Sequence, residues 1–323
     1  YPSKPPASFE GNKSCKYENI PELLLQAQIG TYPGNVFSRS EVTATTARLN
    51  QILGDYGYAF SNANAIPDVD KKERTVAFNY FIDPGKKIYV RRINFFGNEK
   101  TKDSVMRRHL RQFESSWYSK SRVDRSKVRL AQTQYFDNVD LQTSNVPGAT
   151  DQIDVNFHVK ERNTGKVMVG AGVSSSEGLV GTFTLSQSNF LGTGNTVSTS
   201  ISTGEVNKTY ALSYQDPYWT DDGVSRTFGA YRRDVNTTDL STAAYNTFSY
   251  GTNLDFTIPL TEHNSISAGI NLDLTKIELG TFATKEYLDY CRSLSGSTST
   301  KNCNSDSVSV SVGYGRDTRN NAQ

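Results

Sequence analysis

The stretch Thr247-Phe248-Ser249-Tyr250-Gly251-Thr252-Asn253-Leu254-Asp255-Phe256-Thr257-Ile258 decides how the second half of the chain folds. Its even positions are mostly apolar and its odd positions polar or glycine. That is the period of a strand with one face toward an apolar medium and the other toward a wet one. The next run repeats it: Ile266, Ala268, Ile270, Leu272 and Leu274 alternate with Ser265, Ser267, Gly269, Asn271, Asp273 and Thr275. Shorter runs span Val197 to Ile201, Tyr210 to Tyr214 and Val308 to Tyr314. From Gly165 to Gln323 about eight strands of about ten residues are expected, the length at which a tilted strand crosses a bilayer. A soluble β-sandwich shares the period. The Ser, Thr, Asn and Gly on the polar face of consecutive strands favour a wet lumen over a dry core.

Bulk properties agree with this pattern only when read through it. The 323 residues suggest about two or three domains. Lys and Arg number 35 against 33 Asp and Glu, and a net charge of +2 gives no electrostatic case for a nucleic-acid partner. Mean hydropathy is −0.56, and no run approaches the ~18 consecutive apolar residues of a spanning helix. A membrane barrel also averages low, because only alternate residues meet lipid. Residues 1 to 30 lack a basic start, an apolar segment and a small-residue cleavage site, so a signal peptide is expected to be absent or already removed, with the chain beginning inside something larger. An open sheet would present unpaired backbone groups to hydrocarbon, so more strands are expected beyond Gln323.

Before residue 165 the period is mixed, and a repeat appears. Phe9-Glu10-Gly11-Asn12 matches Phe95-Phe96-Gly97-Asn98, and Val36-Phe37-Ser38-Arg39-Ser40 matches Trp117-Tyr118-Ser119-Lys120-Ser121 at the start of a helix in each copy. Those helices are expected to end near Tyr56 and Tyr135, and the copies to close with strands at Arg74 to Ile82 and Gln152 to Lys160. The unit is strand, helix, helix, strand, strand, with Asp83-Pro84-Gly85 as the break between copies. Cys291 and Cys303 lie in a Ser/Thr/Asn-rich segment that reads as a long loop between strands. A disulfide between them is expected, contributing roughly 2 to 3 kcal/mol in an oxidising compartment, with two unpaired surface thiols as the alternative. Cys15 receives no role.

The repeat resembles the POTRA domain, and five further signatures fall in the order found in the BamA family. Asp83 to Ile93 resembles the join between that family's fourth and fifth POTRA domains, and Val159-Lys160-Glu161-Arg162-Asn163-Thr164-Gly165 its join to the barrel. Asn189-Phe190-Leu191-Gly192-Thr193-Gly194-Asn195 resembles the hairpin after the second barrel strand. Asp216-Pro217-Tyr218-Trp219 resembles the end of the fourth strand, and Gly315-Arg316-Asp317-Thr318-Arg319-Asn320 the end of the eighth. The resemblance implies α+β POTRA modules (β-α-α-β-β) over residues 1–84 and 85–162, then part of an all-β transmembrane antiparallel β-barrel over 163–323. It implies a protein of the bacterial outer membrane with its POTRA domains in the periplasm, acting in the assembly and insertion of β-barrel proteins. The alternative is a POTRA-bearing secretion pore of a two-partner system, which threads a polypeptide through its lumen.

The resemblance also assigns residues. Glu114, with Arg107 and Arg111 nearby, would dock a periplasmic, outer-membrane-anchored lipoprotein; as a bare pattern these residues are a solvated charged face. The strand edges at Asn64, Ile66 and Val69 and at Val139 and Leu141 would accept unfolded outer-membrane clients through main-chain hydrogen bonds, or are ordinary protected edges. The first barrel strand, with Val167, Val169, Gly170, Gly172 and Val173 and three closing serines, would line the barrel seam and meet a client's last strand; the plain reading of its glycines is a bend. The lipid bilayer is the third expected partner. Enzyme chemistry is not expected. His109, His158 and His263 are far apart and lack zinc-site spacing, Gly192-Thr193-Gly194 lacks a dinucleotide loop's context and reads as a hairpin turn, and no cofactor or metal is implied.

Overall fold

The computed structural model describes residues 20–175, 177–237, 245–261, 263–280, 283–295 and 302–318. Cys15, the Phe9-Glu10-Gly11-Asn12 motif, Ser176, Arg319 and Asn320 lie outside the described residues. The chain divides into two compact units: residues up to Asn98 with His109–Glu161, and Glu99–Arg108 with Arg162 onward.

In the first unit, α1 (Glu22–Gln26), α2 (Arg39–Asp55), β1 (Asn62–Asp70) and β2 (Thr75–Asp83) supply the helix, helix, strand, strand order of the first copy. Leu25, Leu49, Leu53, Tyr58 and Ala63 are buried together, with Tyr80 and Ile82 of β2 packed against them. Truncating Leu49 or Leu53 would cost about 2 to 5 kcal/mol, the usual range for a fully buried leucine. The second copy adds β3 (Tyr89–Phe96), α3 (Asp103–Arg107), the two-residue β4 (Ser116–Trp117), α4 (Lys120–Gln132), β5 (Phe136–Asn145) and β6 (Gln152–Glu161). Its sheet runs β4-β3-β6-β5, with β3 and β6 parallel and the other pairs antiparallel. Val90, Ile93, Val123, Leu130, Ile153, Val155 and Phe157 are among its most buried apolar side chains.

The repeated serines of the sequence are helix starts. Ser38 caps α2 by accepting the Glu41 N–H, and Ser119 caps α4 by accepting that of Arg122. Each thereby satisfies one of the donors that a first helical turn leaves without a partner. The first copy adds a second cap to α4. Asp55, the last residue of α2, accepts the Ser121 N–H at 2.7 Å and the Ser119 hydroxyl at 3.1 Å. The copies are also tied by backbone, the Ile88 N–H donating to Gly57 O at 2.8 Å, and within the second copy the Tyr118 N–H holds Ile88 O at 3.0 Å.

The second unit is an eight-stranded antiparallel sheet in sequence order: β7 (Gly165–Ser174), β8 (Gly178–Gln187), β9 (Thr196–Thr203), β10 (Asn207–Asp216), β11 (Ser225–Asn236), β12 (Tyr245–Pro259), β13 (Asn264–Leu279) and β14 (Asn302–Arg316). The Asn189–Asn195 motif connects β8 to β9, with a short 3-10 turn at Phe190–Gly192. It is also a seat for residues 99–108. Gly192 has φ +71°, and a Cβ there would stand 1.8 Å from Lys100 O, so no other residue fits. Gly192 O accepts the Lys102 N–H at 3.0 Å, and Asn189 Nδ2 donates to Thr101 Oγ1 at 2.8 Å.

One expectation needs correction. The segment carrying Cys291 is not simply a loop: it contains α5 (Lys285–Ser295), and the Cys291–Cys303 disulfide joins that helix to β14. Both cysteines and Leu279 are buried, with Tyr245, Ile277 and Leu288 packed on them. The Ser/Thr-rich stretch that suggests a loop follows the helix, while Tyr287, Leu288 and Cys291 have the spacing of a short apolar helix face.

Burial, and then the charges of Asp124 and Asp55, push the Tyr118 phenol up to about 12 from its ordinary 10.0. The neutral form is therefore favoured in the folded state. Stability does not depend on this group below pH 10, and it falls as pH rises from there toward 12. Tyr118→Phe should remove that alkaline loss of ~1 to 2 kcal/mol, after allowance for solvent screening, in urea unfolding measured across pH 9 to about 12.

Candidate functional site

The sheet is inside-out relative to a soluble protein. Along β13 the apolar even positions Ile266, Ala268, Ile270, Leu272 and Leu274 are exposed, whereas the polar odd ones are half-buried or buried. The apolar set continues across strands in register: Leu254 faces Ile270, which faces Val310, and Tyr250 faces Leu274. Ile270 is 55% and Val310 72% exposed, and among the described residues no second sheet covers them. On the other face the polar groups satisfy one another. The Tyr231 hydroxyl donates to Asp273, Thr275 donates to Asp273 at 2.6 Å, and Asn253 donates to Asp255 at 2.5 Å. A surface of bare apolar rows backed by a hydrogen-bonded polar wall is what a strand between lipid and a wet lumen requires.

β7 ends the strand order and pairs with β8 alone among the described residues. Val167, Val169 and Val173 are exposed along it. Its two glycines differ. A Cβ at Gly170 would meet Thr182 Oγ1 at 2.6 Å, so packing accounts for that position, but nothing described lies within 4 Å of a Cβ at Gly172. The pairing runs without a register shift from Gly165 to Ser174.

The two POTRA edges named from the sequence are edge strands among the described residues. β5, with Val139 and Leu141, is the outermost strand of its sheet, and β1, with Asn64, Ile66 and Val69, pairs only with β2. Ile66 and Val69 are exposed and Val139 is buried, so β5 uses part of its apolar face for its own core.

The three charged residues singled out from the sequence each have contacts within their own unit. Arg107, on α3 in the second unit, pairs with Asp103 at 2.5 Å. In the first unit the Arg111 N–H donates to Ser126 Oγ at 2.8 Å. Glu114 is exposed, yet its Oε1 accepts the Ile93 N–H of β3 at 2.8 Å. That backbone role is not readable from the sequence, because it depends on the chain between α3 and β4 folding back along β3. The sequence also gave no hint of the Arg91–Asp154 pair, with Nε to Oδ1 at 2.9 Å, which lowers the Asp154 carboxyl below its ordinary range chiefly through that hydrogen bond. Its stabilising effect is present above the ordinary carboxylate range and lost as pH falls through the lowered value. The described residues hold no group of His, Cys, Asp and Glu side chains suited to a metal ion.

Known proteins share this architecture. The Omp85 superfamily domain matches residues 189–323, and the POTRA family, described as surface antigen variable number repeat, matches residues 7–85 and 88–162. The outer membrane protein assembly factor BamA of Neisseria meningitidis serogroup B is 32% identical over 295 residues, 91% of this chain and 36% of that protein. That of Buchnera aphidicola is 29% identical over 250 residues, 77% of this chain and 40% of the relative. The chain thus spans well under half the length of these curated relatives. The crystal structure of Haemophilus ducreyi BamA lacking POTRA domains 1–3 superposes with a TM-score of 0.80 at 30% identity, covering 100% of this chain and 60% of that one. With POTRA repeats, an outward-apolar antiparallel sheet and these relatives in agreement, the chain belongs to the BamA family of Omp85 outer-membrane proteins.

Proposed function

We propose that this chain takes part in the assembly and insertion of β-barrel proteins into the bacterial outer membrane. Its POTRA modules engage periplasmic lipoproteins of an assembly complex and unfolded clients, and clients add strands at β7. The observation that carries the reading is β7 itself: a ten-residue strand at the end of the sheet, with exposed valines and a glycine, Gly172, that no described neighbour requires. Such an edge offers backbone donors and acceptors to any extended segment, so recognition tolerates clients of different sequence. The driving force is backbone pairing and lipid burial in the finished client, and no bond is made or broken covalently.

A cysteine at Val169 in the intact protein should cross-link to the last strand of a client during assembly and not to its interior strands. Equal cross-linking to every client strand, or to none, would remove β7 from the mechanism.

Glu114 requires a paired test because it serves the fold as well. Glu114→Gln keeps an oxygen for the Ile93 N–H but loses the charge, whereas Glu114→Lys loses both. If the carboxylate docks a basic lipoprotein residue, both variants weaken binding by about 2 kcal/mol or more, roughly 30-fold, in a direct titration. Loss confined to Glu114→Lys would assign Glu114 to the fold alone.

A further inference from the structure

The register of the sheet assigns each backbone group to one edge of its strand. Pairing carries the lumen-facing row from Thr275 through Arg233 and Ser202 to Gly170, and the lipid-facing row from Leu274 through Tyr210 and Ile201 to Val169. The bonds that close the strand ends show which row bonds which way. The Ser188 N–H donates to Thr164 O at 3.4 Å, the Gly204 N–H to Asn207 O at 2.8 Å and the Asp317 N–H to His263 O at 2.8 Å. These residues fall in register with lumen-facing rows, and they join β7 to β8, β9 to β10 and β13 to β14. The Asn236 N–H donates to Val206 O at 2.8 Å and the Leu260 N–H to Asn264 O at 2.9 Å. These fall in register with lipid-facing rows and join β10 to β11 and β12 to β13. An odd-numbered strand thus bonds to the strand after it through lumen-facing residues and to the strand before it through lipid-facing ones. The cause is chirality: a strand of L-residues turns successive N–H and C=O groups to opposite edges as it turns their side chains to opposite faces.

No described strand precedes β7. Its lumen-facing Lys166, Met168, Gly170 and Gly172 bond to β8, which leaves the N–H and C=O groups of Val167, Val169, Ala171 and Val173 pointing to the open edge. Each of those groups belongs to a residue whose side chain faces lipid. We infer that this edge accepts an antiparallel strand through the main chain of the incoming strand's own lipid-facing residues, and makes no backbone bond to its lumen-facing ones. A shift by one residue would bond the incoming polar row instead and hold it beside Val167 and Val169 in hydrocarbon, so docking advances in steps of two. The glycines of β7 fall in the row that makes no backbone bond across this edge, where facing side chains approach most closely. Gly172, with nothing described within 4 Å of a Cβ, leaves room there for a bulky inward side chain. The inference rests on the strand-addition role proposed for β7.

The test uses the intact protein in detergent micelles and synthetic peptides of about ten residues with the sequence of a client's last strand, each carrying a photoreactive group at one end. A single N-methyl group, which removes one backbone donor and blocks one edge, is moved along the central positions, and labelling of β7 is counted by mass spectrometry. N-methylation at the apolar, lipid-facing positions should lower labelling about tenfold, whereas at the polar, lumen-facing positions it should change labelling by less than about twofold. A peptide of the same composition without alternation sets the background. A parent peptide that labels β7 no better than background removes the strand-addition role and this inference with it. Clear labelling by the parent peptide with equal effects of methylation on both rows, or with losses confined to the polar row as for a parallel strand, overturns the inference alone.

Discussion

Main-chain hydrogen bonding in a medium that offers no water is the constraint on which the rest of the second unit depends. A peptide group left without a partner in hydrocarbon costs several kcal/mol, so strands there exist only as part of a continuous ladder. From β7 to β14 every neighbouring pair runs antiparallel without a register shift. The first unit lies under no such rule, and its sheet contains irregularities between Val90 and Arg92 and between Phe136 and Asn138. Bulges bend a strand and strand a peptide group, which water can solvate in the periplasm and lipid cannot.

The same constraint connects fold to function. Once satisfaction of the backbone is obligatory, a terminal strand can in principle be completed by another strand whatever side chains it carries, which is the basis of the role proposed for β7. Specificity must then come from elsewhere, and in the proposed function it falls to the POTRA modules. Their geometry is fixed by polar contacts that do little for a hydrophobic core: Asp55 capping the helix of the following copy, and the Ile88 amide bonding to the Gly57 carbonyl across the junction. Hydrogen bonds of this kind contribute about 1 kcal/mol each, enough in combination to hold an orientation.

The period-two runs at Thr247 to Ile258 and Ser265 to Thr275 were legible because each second residue records its environment directly. The repeated Ser38 and Ser119 were legible because a helix start places a fixed chemical demand on one position. What escaped has a common cause, dependence on distant residues. The helix Lys285–Ser295 is short and draws its apolar partners from β12 and β13, so its local signal is weak beside the Ser/Thr-rich chain that follows. Glu114 reads as a free surface charge until β3 is placed beside it.

The unbroken ladder also governs how such a chain can change length over time. Between Asn264 and Leu279 a single inserted or deleted residue would exchange the lumenal and lipid faces for every position up to the next turn, sending Asp273 toward acyl chains and Leu272 toward water. Changes in twos preserve the faces but shift the strand against both neighbours. Length variation is therefore channelled into the connections, where nothing downstream inverts, and the surface loops of such a barrel can diverge freely while its wall keeps count.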